Sequence, residues 1–220
     1  MGFATDVSLD DLIRREEEIF LRRMPKTAEL WERAQRSMPG GVSSSWASSR
    51  PLPVWVSHGE GAYVWDADGT RYADMHGGYG VNVVGHANPA VVRAVQQRVA
   101  RGTHFAQPTE DSIYVAEALA QRFGLPMWRF GNSGTEVTMD AFHLMRAITG
   151  RSLVVKIEGT YHGHHDSAMV SIFRAADQLG PLHDPHRVPG PGVAQEMADL
   201  LRIVPFNDLA ALQRTLEAHP

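Results

Sequence analysis

The sequence contains no cysteine in 220 residues. That excludes disulfides, thiolate nucleophiles and cysteine-based zinc sites, and it suits a cytoplasmic protein. Lysine is almost absent as well: Lys26 and Lys156 are the only two, and every other basic residue is arginine. Chemistry that needs a Schiff-base lysine must use one of these or do without. No apolar run is long enough to span a bilayer, and the charged N-terminus lacks the apolar core of a signal peptide. A net charge of −4 supplies no basic field to hold nucleic acid or an anionic membrane. Repeats and low-complexity tracts are also missing. What is present, 43% hydrophobic and 21% charged residues, is globular composition, enough for one large domain or part of a larger one.

The chain is organised around Phe130-Gly131-Asn132-Ser133-Gly134-Thr135-Glu136. Residues 127–130 read as a short buried strand. Behind them Val137, Ala141, Leu144, Met145 and Ile148 recur at helical spacing, and Gly150 stops the helix. Asn132 to Thr135 therefore fall at a strand-to-helix turn. Amides without helical partners, the positive end of the dipole, two hydroxyls and a glycine make that turn suitable for an oxyanion, phosphate best of all. An ordinary N-cap, with Ser133 or Thr135 capping, explains the same residues.

Upstream, Ser8-Leu9-Asp10-Asp11 reads as a capping box opening a helix with Leu9, Leu12, Ile13 and Phe20 on one face. That helix is either a partner-docking arm or a terminal helix lying on its own domain. A second helix, about 27–38, ends at Pro39-Gly40-Gly41, and the serine-rich stretch 41–50 is a loop. Runs at 54–56, 61–65 and 70–72, with the Asp68-Gly69 step, predict a small antiparallel meander. Gly77-Gly78-Tyr79-Gly80 is a turn in which glycine permits close approach of another segment or a ligand. Asn88-Pro89 starts a helix whose buried stripe would be Val92, Val95 and Val99. The next helix, about 109–123, would turn Val115, Leu119 and Phe123 inward. Residues 153–157 and 201–204 read as buried parallel strands. The loop 180–192 is a candidate lid, and the last helix would bury Leu209, Leu212 and Leu216. From 109 onward the order is that of a doubly wound α/β sheet, with ligands at the carboxyl ends of strands. One such end carries Glu158-Gly159-Thr160-Tyr161-His162-Gly163-His164-His165-Asp166. Its histidines invite a metal reading, but the spacing lacks zinc-motif geometry. Tyr161 covering the face of a planar ligand is the better reading.

Taken together, Pro39-Gly40-Gly41-Val42-Ser43, Tyr63 to Gly69, Gly85-His86-Ala87-Asn88-Pro89, Asn132 to Glu136 and Glu158 to His164 resemble, in order and spacing, the class III aminotransferases, in particular their glutamate-1-semialdehyde aminomutase-like branch. The resemblance covers roughly residues 30–218. It implies an α/β, fold-type I scaffold that uses pyridoxal 5′-phosphate and works as a homodimer. Residues 1–75 would be N-terminal helices and meander, and 76–220 the first part of the mainly parallel large domain. It implies that Ser133, Gly134 and Thr135 hold the cofactor phosphate, that Tyr161 stacks on the pyridine ring with His162 beside it, and that Ser44, Arg50 and Tyr79 lie in the substrate pocket. Where the aminomutases place an arginine after Pro-Gly-Gly-Val-Ser, this chain has Ala47, with Arg50 the nearest arginine. The Schiff-base lysine of the family would lie past residue 220; Lys156 matches a different, strand lysine of relatives.

The function expected from this is transfer of an amino group between small-molecule donor and acceptor through aldimine chemistry, with this chain the N-terminal portion of the enzyme and no catalytic lysine within it. Intramolecular transfer, an isomerase reaction, fits equally. A chain that ended at Pro220 would instead be a lysine-lacking cofactor or phosphate binder, or a non-catalytic partner subunit. A hydrolase using a metal on His162, His164, His165 and Asp166 is the third alternative.

Overall fold

The computed structural model describes residues 8–181 and 185–220, which fall into two compact units divided between Gln107 and Pro108. Part of the 180–192 loop, at 182–184, lies outside the described residues.

In the first unit, helix α1 (Leu9–Arg23) is capped by Ser8, whose hydroxyl accepts the Asp11 amide. Asp10 and Asp11 in its first turn and Arg22 and Arg23 in its last complement the helix dipole. It buries no residue, and Leu9, Leu12 and Ile13 remain exposed. Helix α2 (Pro25–Ala34) has no side-chain cap of its own. Its Lys26 and Thr27 amides are taken by the Asp68 carboxylate, at 2.8 and 2.9 Å.

Asp68 sits in the turn of the expected meander: β1 (Val56–Glu60), β2 (Tyr63–Asp66) and β3 (Arg71–Ala73) pair antiparallel in the order β1-β2-β3. The turn is built around Asp66, which is 1% exposed. Its carboxylate accepts the amides of Asp68 and Thr70 and the hydroxyl of Tyr72. Beyond β3 come a four-residue helical turn, α3 (Gly77–Gly80), and helix α4 (Pro89–Val99), which Asn88 caps as the Asn-Pro pair predicts.

The second unit runs α5 (Glu110–Phe123), α6 (Gly134–Thr149), β4 (Val154–Ile157), α7 (Gln195–Asp199), β5 (Leu201–Val204) and α8 (Leu209–Ala218). Strands β4 and β5 pair in parallel, Val154 opposite Leu201. Phe142, Val170, Ala198, Leu201 and Ile203 form the core, with Val154 packed on it. After β4, Ser171 and Val188 share hydrogen bonds, and Arg174 donates to the Pro189 carbonyl.

The structure corrects several expectations. Residues 127–130 form no strand, and Met127 is 87% exposed. Val92, Val95 and Val99 of α4 are exposed, as are Val115 and Phe123 of α5, Val137, Leu144, Met145 and Ile148 of α6, and Leu209 and Leu216 of α8. Most helices form where expected, because they depend on neighbours in sequence, although α2 spans Pro25–Ala34 rather than 27–38 and has no side-chain cap. Burial depends on cover, and among the described residues nothing covers these faces. Among the described residues the parallel pairing is likewise confined to β4 and β5, and 127–130 pairs with no strand.

Candidate active site

Helix α6 begins as its sequence dictates. Ser133 is extended (φ −149°, ψ 160°) and its hydroxyl accepts the Glu136 amide at 3.2 Å. Glu136 turns back so that its carboxylate accepts the amide of Asn132, the residue before the cap, at 2.6 Å. Ser133 is therefore the N-cap. The amides of Gly134 and Thr135 keep no partner among the described residues, since the residues four back, Phe130 and Gly131, precede the helix. A Cβ built on Gly134 meets no atom within 4 Å. The corner is capped, yet open at the two donors an oxyanion needs.

The loop after β4 is fixed onto this same turn. Thr135 Oγ1 accepts the His164 amide at 3.0 Å, which leaves its own proton to donate elsewhere. Thr138 Oγ1 donates to the His162 carbonyl at 2.6 Å and also lies 2.8 Å from the Gly134 carbonyl. Between them Gly163 is buried at φ +112°, and a Cβ there would stand 2.9 Å from Thr135 Cα and from Thr138 Oγ1. Only glycine permits this approach. Tyr161 is left 43% exposed on the loop. The His162 Nε2 atom lies 3.0 Å from the Thr160 hydroxyl. Burial and the nearby Lys156 charge hold the His162 imidazole below its usual pKa, which disfavours the imidazolium. His165 packs edge-on against Phe142, and burial pushes its pKa down also.

Lys156 is only 3% exposed. Its ammonium donates to the Val170 carbonyl at 2.9 Å, and burial lowers its pKa to about 8. His162, His164, His165 and Asp166 do not converge. Among the described residues no group of three or more His, Cys, Asp or Glu is placed to hold a metal ion, nor is any helix long and apolar enough to cross a membrane.

The remaining expected residues belong to the first unit. Ser44 precedes a single 3-10 turn (Ser45–Ala47), and its carbonyl accepts the Ala47 amide. Arg50 is exposed and, with Pro51, borders a shallow depression against Leu12, Ile13, Glu16, Glu17 and Phe20 of α1. Tyr79 is 70% exposed and lies edge-on to His76, ring centroids 4.2 Å apart. Thr138 and Asp74 are not among the residues the sequence marks. Thr138 follows Gly134 by one helical turn, the spacing that places it on the same face; Asp74 carries no such signal.

A phosphate-bearing planar cofactor fits the second unit. The Gly134 and Thr135 amides and the Thr135 hydroxyl supply donors, and the Tyr161 loop is tied to the same turn.

Comparison with known proteins agrees. The chain is 40% identical over 189 residues to a glutamate-1-semialdehyde 2,1-aminomutase of Methanothrix thermoacetophila, an alignment covering 85% of this chain and 42% of that protein. The crystal structure of an omega-transaminase from Sphaerobacter thermophilus matches with a TM-score of 0.82 at 39% identity, over 88% of this chain and 44% of that one. A transaminase solved with PLP bound matches with a TM-score of 0.80 at 36% identity, over 89% and 45%. The chain thus spans less than half the length of the relatives it matches. The pattern that defines class-III aminotransferases extends over residues 44–190, about two thirds of the sequence. On motifs, fold and that match together, the chain belongs to the class-III aminotransferase family, on the α/β scaffold of the fold-type I transferases.

Proposed function

We propose that the whole protein is a pyridoxal-phosphate-dependent aminotransferase that moves an amino group between a small amino acid or amine and an acceptor. The observation that carries this is the joining of two features on one helical turn: the uncommitted Gly134 and Thr135 amides, and the loop bearing Tyr161 and His162. Ser133 caps the turn, and Gly134 and Thr135 grip the cofactor phosphate through their amides and the Thr135 hydroxyl. Tyr161 covers one face of the ring, with His162 beside it. The bound cofactor supplies an electron sink for proton movement at the amino-bearing carbon. Ser44, Arg50 and Tyr79 contribute to the substrate pocket. Neither lysine of this chain is assigned the covalent link to the cofactor: Lys156 is enclosed and engaged by the Val170 carbonyl, and Lys26 belongs to α2 of the first unit. In the complete enzyme residues 76–220 begin the large cofactor domain and 1–75 form the N-terminal segment. The working form is a cytoplasmic homodimer.

The test uses the full-length protein. Incubation with pyridoxal 5′-phosphate gives a visible absorption band that borohydride abolishes, and an amine donor then yields amino acid from a 2-oxo acid. Absence of any band ends the reading. A second reading is intramolecular transfer, favoured by relatives named as aminomutases at about 40% identity. It predicts turnover of one substrate with no separate acceptor. Ala47, at the place where the resemblance implies an arginine, weighs against glutamate-1-semialdehyde as that substrate.

A further inference from the structure

Four consecutive residues of the first unit, Gly77, Gly78, Tyr79 and Gly80, have φ between +53° and +80°. This is a turn of left-handed helix. Glycine adopts it without penalty, but Tyr79 does not, because its Cβ crowds the backbone in this region. The conformation persists only if its surroundings impose it.

Those surroundings are specific. Asp74 Oδ1 accepts the amides of His76 and Gly77, each at 2.9 Å. His76 Nδ1 then accepts the Tyr79 amide at 3.1 Å, and the two rings meet edge to face. The other Asp74 oxygen lies 2.7 Å from His86 Nε2. His86 is itself fixed to the meander. Its amide and carbonyl exchange hydrogen bonds with Gly61 at 2.8 and 2.9 Å, and its ring lies so close over Gly59 that a Cβ there would come within 2.5 Å. Amides from Gly77 and His76, with His86, hold the Asp74 carboxyl at about 2, so it stays ionised at any working pH. The chain of contacts runs from a rigid hairpin to His86, to Asp74, to the strained turn, and ends at the exposed Tyr79 ring.

We propose that His86 and Asp74 are positioning residues for substrate recognition: together they impose the left-handed turn and so fix where the Tyr79 ring meets the substrate. The inference rests on the reading of Tyr79 as a substrate-pocket residue. Neither His86 nor Asp74 touches substrate in this account.

The test is made on full-length holoenzyme with three variants. Tyr79→Ala sets the scale. His86→Ala is expected to raise KM for the amino donor by about tenfold, leave the dissociation constant of pyridoxal 5′-phosphate within twofold, and speed amide hydrogen exchange in the peptide spanning 74–82. Asp74→Asn keeps an acceptor for the two amides while removing the charge, and is expected to fall between His86→Ala and the parent in both KM and exchange. It also serves if His86→Ala does not fold. If Tyr79→Ala leaves KM unchanged, the pocket reading falls and this inference with it. If Tyr79→Ala raises KM but His86→Ala and Asp74→Asn do not, the pocket reading stands and the positioning role is overturned. Faster exchange with unaltered KM overturns the positioning role equally.

Discussion

Thr138 Oγ1 lies 2.6 Å from the carbonyl oxygen of His162, 24 residues further along the chain. One hydroxyl thus joins the first turn of α6 to the loop after β4. A second contact, from the His164 amide to Thr135 Oγ1, runs parallel to it. The proposed phosphate grip and the proposed ring cover are consequently one rigid piece, and displacing either displaces the other.

Gly163→Ala tests that rigidity. The added methyl requires φ +112° of an L-residue and collides with Thr135 and Thr138. The expected cost is about 1–3 kcal/mol of stability. Cofactor should dissociate faster from the full-length variant, and both are measurable by thermal unfolding and by absorbance during dilution. An unchanged melting temperature would show that the loop retreats freely.

Gly134→Ala separates fold from binding at the same turn. Its Cβ meets nothing, so stability should stay within about 0.5 kcal/mol. The methyl enters the space the phosphate would use. The expected outcome is weaker binding of pyridoxal 5′-phosphate, by about tenfold or more, in an otherwise normal melt. Equal affinity in the variant would move the phosphate away from Gly134.

Lys156 gives a pH signature. Burial lowers its folded pKa to about 8, against about 10.4 in an unfolded chain. The folded state therefore disfavours the ammonium, and the unfolded state binds more protons between these values. Stability should rise as pH increases from about 8 to about 10.4, and the penalty should be complete below 8. Denaturant midpoints of the parent, compared with Lys156→Met across this range, should move in the parent's favour as pH rises. A constant difference would contradict the burial.

The 220-residue chain expressed alone should self-associate. Ile148 at 75% exposure, Val95 at 58% and Phe123 at 61% are large apolar groups left in water on three helices. Apolar surface on this scale drives association. Light scattering on the purified chain checks this; a monodisperse monomer with a single cooperative melt would refute it.

Local signals are legible in the sequence. Asn88-Pro89 and Ser133 cap their helices, and Gly124 and Gly150 end theirs in the left-handed conformation. The Asp68-Gly69 step closes the meander, and the runs containing Val155 and Ile203 become parallel strands. These depend on residues a few positions apart. Long-range relations are not legible. The stripes on α4 and α5 are apolar as the periodicity predicts, yet they lie uncovered, because periodicity reports a face and not what lies against it. Asp74 looks like any loop aspartate, since its partner His86 is 12 residues on and their meeting depends on how the turn between them coils.

Asp68 reaches back 42 residues to receive the Lys26 amide and 41 to receive that of Thr27. With Met24 offering no side-chain cap, α2 has no local means of satisfying its leading donors. Helix and hairpin are therefore a single cooperative unit. If the hairpin opens, α2 frays from its start, and a nascent chain cannot complete the helix until the strands that follow it have been synthesised.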